Sequence, residues 1–244
     1  CPPVMKDAQN KLSKRNGDAS YQDLVAKGYL SEAVMNYICL LGWSPKGEYA
    51  EQEIFSLEEL IKIWSPDGIS KSPAIFDPLK LRAINAAYIR ALPAEEFRRL
   101  ADPFIDSAVH RPIDRDLLCA NLQPRCEVLE DIPPQLDFFD AALPFDAELY
   151  RNKKQKTTPE SAKEALEALL GLLEAQADWS RDAIFEACKA QAEAMEKKNG
   201  WLLYPLGIAL SGKARTPGGG TDLAAMLGKD ETLARLKAAL EMLG

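Results

Sequence analysis

The residues best suited to chemistry sit near the start of the chain, in Lys11-Leu12-Ser13-Lys14-Arg15-Asn16-Gly17-Asp18. Two lysines flank a hydroxyl, an arginine follows, and Asn16-Gly17 turns the chain with positive φ at little cost. Ammonium groups are mobile point charges suited to phosphate, above all to the crowded charge of a reacting triphosphate. Taken alone, the same pattern also describes a solvated basic turn. Much other chemistry lacks its parts. His110 is the only histidine, and the five cysteines (Cys1, Cys39, Cys119, Cys126, Cys188) are scattered, with no C-x-x-C pair. That argues against a metal site and against most Ser/His/Asp or Cys/His nucleophiles, and leaves reduced, mostly buried thiols as the expectation.

The elements that must position the basic segment come from a chain of 244 residues, 47% apolar, enough for one large domain or two modest ones with a real core. No apolar run reaches membrane-spanning length and the start lacks the order of a signal peptide, so a cytoplasmic protein without a membrane partner is expected. A formal net charge of -7 argues against a non-specific nucleic-acid coat but permits a local basic face.

Caps and periodicity predict a mainly α fold of helix pairs joined by short loops, without a strand-rich region or a repeat. Ser20 with Asp23 opens a helix that Gly28 closes. Ser31 opens the next, stapled by Leu30 and Met35, and Gly42 stops it. Ser56 with Glu59 is a capping box, and Asp77-Pro78 starts a further helix after a loop over 69–76. Pro93 begins another, which Pro103 breaks or bends. Pro124 interrupts an amphipathic run over 115–131, and the aromatic stretch from Leu136 to Phe145 reads as a short helix. Thr158-Pro159 and Ser180 open two more, the second ended by Asn199-Gly200. Trp43 and Trp64 read as core. Gly218-Gly219-Gly220 reads as a flexible loop, and two short helices finish the chain.

Several stretches, in order, resemble the C-terminal half of bacterial-type glutamyl-tRNA synthetases, a class I family. They are Met5-Lys6-Asp7-Ala8 through Arg15, similar to that family's "KMSKS" loop; Gly28-Tyr29-Leu30 through Leu41-Gly42-Trp43-Ser44; Phe76-Asp77 with Lys80-Leu81, Asn85 and Tyr88-Ile89-Arg90; and Ala209-Leu210-Ser211-Gly212 through Ala234-Arg235-Leu236. The resemblance implies an end of a catalytic domain over 1–18, a stem-contact helical region over 19–92, and two anticodon-binding subdomains over 93–150 and 151–244, the last two forming an all-α helical cage. The family's nucleotide fold would precede residue 1, so this portion alone is not expected to form glutamyl-adenylate.

The resemblance also implies roles. Lys11, Ser13 and Lys14 hold ATP phosphates as pyrophosphate leaves, with Leu12 and Arg15 completing the ATP-binding loop and Mg2+ accompanying the nucleotide in the whole enzyme. No cofactor is expected on this portion itself. Arg125 inspects the third anticodon base, a task for which a planar guanidinium fork suits an unstacked base. Ser70 and Lys80 touch the inner corner of tRNA(Glu), and such contacts set position without reading sequence. Thr216 and Pro217 match an anticodon-contacting loop. Gly207 stands where the family often has arginine and Gly219 where it often has an apolar residue, with Lys213 or Arg215 as substitutes by charge. Glutamate, ATP and tRNA(Glu) are the implied partners of a monomeric parent. The competing readings are a free-standing RNA-binding module related to synthetases, which would be more basic, and a non-enzymatic helical adaptor, which would show internal periodicity.

Overall fold

The computed structural model describes residues 4–7, 9–12 and 20–244. The chain divides into two compact units, Cys1–Phe104 with Gln123–Ile132, and Ile105–Leu122 with Pro133–Gly244. Helices dominate both.

In the first unit the caps act as the sequence implies. Ser20 and Asp23 exchange hydrogen bonds across the start of α1 (Tyr21–Ala26), and Ser56 and Glu59 do the same at α3 (Leu57–Ile63). The bond from the Ser56 N–H lowers the Glu59 carboxyl below its ordinary range. Asp77 accepts the Leu79 and Lys80 N–H groups at the head of α4 (Pro78–Ala91). The helix α2 (Ser31–Leu40) begins differently: its cap is Leu30, with no side-chain bond. The Leu30 N–H is taken instead by the buried Asn85 Oδ1 at 2.8 Å, so tertiary packing rather than the Ser31 hydroxyl sets the boundary. The 69–76 stretch is not all loop. Val4–Met5 (β1) and Ala74–Ile75 (β2) form a two-stranded parallel sheet, with Val4 opposite Ala74 and Met5 opposite Ile75.

Pro103 does not end its helix. α5 (Ala94–Asp106) runs through it, with Phe97, Ala101 and Ile105 fully buried at i, i+4 and i+8. Burial of that stripe on both sides of the proline outweighs the one lost backbone bond.

The second unit contains α6 (Arg115–Leu122), α7 (Pro159–Ala175), α8 (Arg181–Ala194), α9 (Asn199–Ser211), α10 (Gly220–Leu227) and α11 (Lys229–Leu243). α9 is its axis, packed by α7, α8, α10 and α11. Its residues are apolar on every side, the mark of a helix buried all round; Trp201, Leu202, Leu206, Ile208 and Leu210 are all buried. Asn199-Gly200 therefore opens α9 and does not close α8. The expected helix over 136–145 is absent: Leu136, Phe138 and Phe139 are fully buried, but on turns. The cause is Arg235, 3% exposed on α11. Its guanidinium donates to the carbonyls of Phe138 (2.7 Å), Phe139 (3.1 Å) and Leu210 (2.6 Å), so these groups need no helical partners. Glu231 accepts from Arg235 Nε at 2.7 Å. Burial opposes its charge, yet Arg235 and Arg111 together hold its carboxyl below the usual range.

Candidate nucleic-acid interface

The basic segment enters the first unit as the third arm of a small stitch. Asp7 accepts the N–H groups of Gln9 (2.8 Å) and Asn10 (2.9 Å), and this turn brings Lys11 opposite Met5. The Asn10 side chain bonds the same carboxylate and lowers its pKa. Leu12 N–H bonds the Val4 carbonyl at 3.1 Å. β1 thus has the Lys11 arm on one edge and β2 on the other. Phe76 N–H continues the pairing to the Met5 carbonyl, and Asp77 then caps α4. Lys11 is exposed and Leu12 half-buried. Ser13, Lys14 and Arg15 lie outside the described residues.

Ser70 and Lys80 border one neighbourhood. Ser70 N–H bonds the Gly42 carbonyl at 2.8 Å, and its hydroxyl accepts the Ser72 N–H at 3.1 Å. Gly42 and Lys80, with Tyr37, Ala74 and Asp77, line a cavity of about 210 Å3. Lys80 Nζ pairs with Glu53 at 2.7 Å, and both side chains are substantially exposed.

Arg125 closes a 3-10 turn, Gln123–Arg125, and is exposed. Residues far apart in sequence brace that turn. Gln123 Nε2 donates to the carbonyls of Ile89 (3.0 Å) and Leu92 (2.8 Å), at the last turn of α4. Asn85 Nδ2 donates to the Glu127 carbonyl at 2.5 Å while its Oδ1 holds Leu30. Arg82 reaches Glu127 at 2.8 Å and also bonds Asp131. Burial works against the Arg82 charge, but these two carboxylates outweigh it and raise its pKa. Gly28 allows the last contact: its φ is +90°, and a Cβ there would stand 2.4 Å from Leu129 Cβ. The Glu130 N–H bonds the Lys27 carbonyl beside it at 2.9 Å.

The loop with Thr216 and Pro217 belongs to the second unit. Thr216 Oγ1 donates to the Gly218 carbonyl at 2.8 Å and Pro217 is buried. The triple glycine is a packed junction, not a slack loop. Gly218 has φ +110°; Gly219 N–H bonds Asp222 at 2.7 Å; and a Cβ on Gly220 would lie 2.7 Å from the Leu203 carbonyl and 3.0 Å from Gly207 N. Asp222 is itself held by Arg181 Nε at 2.9 Å. Gly207 thus sits where α9 and α10 approach closely. Of the two substitute cations, Lys213 is committed: it pairs with Asp137 and donates to the Pro134 carbonyl at 2.9 Å. Arg215 is exposed and makes no ion pair among the described residues.

Residues 82–240, more than half of the chain, match the model of a family described as an anticodon binding domain. The chain belongs to the anticodon-binding domain family. Residues 3–83 match the model for the catalytic domain of class I tRNA synthetases (E and Q), which takes in the Lys11 segment. This anticodon-binding family member is similar over its whole length to the glutamate–tRNA ligase of Clostridium botulinum, 48% identical over 243 residues that make up 50% of that protein. The glutamate–tRNA ligase of Clostridium acetobutylicum is 46% identical over 244 residues, again 50% of its length. The chain therefore spans about half the length of the curated relatives it matches. Among solved structures, a glutamate tRNA ligase from Elizabethkingia meningosepticum, crystallised in complex with its amino acid, superposes with a TM-score of 0.82 at 26% identity, covering 100% of this chain and 51% of that one.

Three features carry no local signal in the sequence, or a misleading one. Asn85 and Arg235 are buried polar hubs that a helical pattern reads as interruptions. Trp64 is 56% exposed and is not core; it follows Leu57 and Ile61 along the outward side of α3, whereas Trp43 is buried with its Nε1 on the Ser65 carbonyl at 2.8 Å. Among the described residues no group of three or more His, Cys, Asp or Glu side chains could hold a metal ion, and no helix is long and apolar enough to cross a membrane.

Proposed function

We propose that this chain is the tRNA-binding, anticodon-reading part of a cytoplasmic, monomeric glutamate–tRNA ligase, which joins glutamate to tRNA(Glu) using ATP. The observation that carries the reading is similarity to such ligases along the entire chain, joined to an anticodon-binding family match that begins at Arg82. In this reading 1–18 is the end of the catalytic part, 19–92 the stem-contact region, and 93–150 and 151–244 the anticodon-binding subdomains. Lys11, Ser13 and Lys14, with Leu12 and Arg15 beside them, stabilise the charge that develops on the departing pyrophosphate, since cations fixed where charge appears lower the barrier.

Ser70 and Lys80 take backbone phosphates at the inner corner of the tRNA. Lys80 must leave Glu53 to do so, and an exposed pair of that kind is worth only about 0–1 kcal/mol. Arg125 reads the third anticodon base. Thr216 and Pro217 contact the anticodon loop, and Arg215, the uncommitted cation beside them, supplies the charge that position 207 lacks.

A salt-controlled binding titration with tRNA(Glu) and with the same tRNA altered only in its anticodon tests the assignment. The expected result is weaker binding of the altered tRNA, about 1–3 kcal/mol per misread base, and loss of that preference in Arg125→Gln. Equal binding of both tRNAs by the unaltered chain overturns it.

A further inference from the structure

We propose that a second RNA-binding surface exists in the Pro133–Gly244 part of the chain: a five-lysine patch, Lys153, Lys154, Lys156, Lys197 and Lys198, that takes the phosphate backbone of the tRNA. It rests on the reading above for the identity of the RNA. Two separate stretches make the patch. The first is a tight turn closed by reciprocal Asn152 and Thr157 backbone bonds of 3.0 and 3.1 Å, with Asn152 Oδ1 also accepting the N–H groups of Lys154 (3.0 Å) and Gln155 (3.1 Å). The second is the link from α8 to α9, which runs through Lys197 and Lys198.

The fold presses the two together. Gln155 lies so close over Gly200, at the start of α9, that a Cβ there would fall 1.8 Å from Gln155 Oε1. Tyr204 on α9 secures the approach to the turn by donating to the Leu149 carbonyl at 2.8 Å. Among the described residues, the only non-glycine residues with left-handed φ are Lys156 (57°) and Glu196 (55°), one in each stretch. Such backbone is disfavoured for side chains other than glycine and persists only where surrounding contacts enforce it. It bends both stretches at the patch.

The charge is uncompensated. All five lysines are exposed, and none pairs with a carboxylate among the described residues, although Glu196 adjoins Lys197. Elsewhere lysines of this unit are committed: Lys213 to Asp137, Lys189 to Glu186, Lys237 to Glu174. Lys197 Nζ lies 5.1 Å from the centre of the Trp201 ring, a cation–π contact that steadies the ammonium without neutralising it. In a chain of net charge -7, five neighbouring free ammonium groups favour a polyanion, and lysines bind phosphate as point charges without reading bases.

The test uses the 244-residue chain, tRNA(Glu) and its anticodon-altered form, with affinity measured from low to moderate salt. Two variants each remove one stretch: Lys153→Ala/Lys154→Ala/Lys156→Ala and Lys197→Ala/Lys198→Ala. Each phosphate that is no longer neutralised lowers the slope of log affinity against log salt by about 0.7–0.9. Each variant should therefore lose at least one such step and bind both tRNAs about tenfold more weakly near 0.1 M salt, with anticodon preference retained. Replacing the same lysines by arginine should restore the slope. Unchanged slopes in both alanine variants, with anticodon preference intact, overturn the patch and leave the anticodon reading standing. A reduced slope in a chain with no anticodon preference supports the patch and overturns that reading. No binding of either tRNA by the unaltered chain overturns both.

Discussion

Asn85 should be the residue on which the placement of Arg125 most depends, though it faces no RNA. It is 0% exposed, and it spends its acceptor on Leu30 N–H and its donor on the Glu127 carbonyl. Asn85→Leu keeps the side-chain volume closely enough that little cavity forms, so the cost is polar. A buried N–H left without a partner costs about 1–3 kcal/mol, and the abandoned carbonyl costs less because Glu127 is exposed and admits water. The sum is about 2–4 kcal/mol. Asn85→Asp separates the two bonds. The acceptor survives, but a buried carboxylate now faces a carbonyl, and both burial and that dipole favour the protonated acid, which can donate to Glu127. A folded-state pKa raised in this way gives stability that is full below the unfolded carboxyl value, about 3.9, and is lost as pH rises through the folded one. The Asn85→Asp variant should therefore approach the unaltered protein near about pH 4 and fall away toward about pH 7. Urea unfolding gives the totals, hydrogen exchange at the Leu30 amide reads the loss locally, and the paired-tRNA titration reads Arg125. Asn85→Leu within about 0.5 kcal/mol of the unaltered protein, below the smallest loss expected from unsatisfied buried groups, would refute the energetics. Full anticodon preference in a variant destabilised as expected would refute the link to Arg125.

Tyr150 is fully buried and its hydroxyl has no hydrogen-bond partner among the described residues; Tyr150→Phe should leave stability unchanged or raise it by about 1 kcal/mol, and a fall of that size in a urea melt would count against the reading. Gly220→Ala sets a methyl against the Leu203 carbonyl and the Gly207 nitrogen, backbone atoms that cannot swing aside; it should cost about 1–3 kcal/mol, and an unshifted thermal melt would show that α9 and α10 part easily. Burial pushes the Cys126 thiol up to about 12 and the Cys188 thiol up to about 11. At about pH 8 a maleimide should therefore spare both until the chain is unfolded, and prompt labelling of either in the native protein would contradict the burial.

What was legible in the sequence was what local chemistry decides. Ser20 with Asp23, Ser56 with Glu59, Asp77-Pro78, Thr158-Pro159 and Ser180 all cap helices because each cap is settled within a few residues. The misplaced helix boundaries share one cause: contacts with distant residues overrode the local signal. Ser31 is not the cap of α2: that place falls to Leu30, whose N–H is held by Asn85, far along the chain on α4. The 136–145 stretch gave up its helix to Arg235. Asn199-Gly200 reads as a stop, yet the apolar surface of α9 had to be buried by its neighbours, and the helix begins there. Pro103 survives inside α5 for the same reason. The individual site residues were legible only through family resemblance; neither spacing nor periodicity marks Arg125, and the bonds that hold its turn come from α4 and from Lys27–Leu30.

The proposed division of labour follows from how differently the two kinds of site are built. Reading a base demands a donor fork held in a set direction, and any freedom left to it must be given up on binding. Arg125 sits on a short turn, ordinarily a poor place for such accuracy. Gln123, Asn85 and Arg82 supply the stiffness by tying that turn to the rigid α4, so its order is established in folding and not at the encounter with RNA. Attraction to a phosphate chain makes no such demand. The lysines of the 153–156 turn and of the α8–α9 link are exposed and carry no ion pair among the described residues, and a tight turn fixes the backbone beneath the first three. Weakening the bracing around Arg125 should therefore erode anticodon preference more than total affinity, whereas removing the lysines should erode affinity and its salt dependence while leaving preference alone. The two sets of variants, measured on the same pair of tRNAs, should move in these opposite senses.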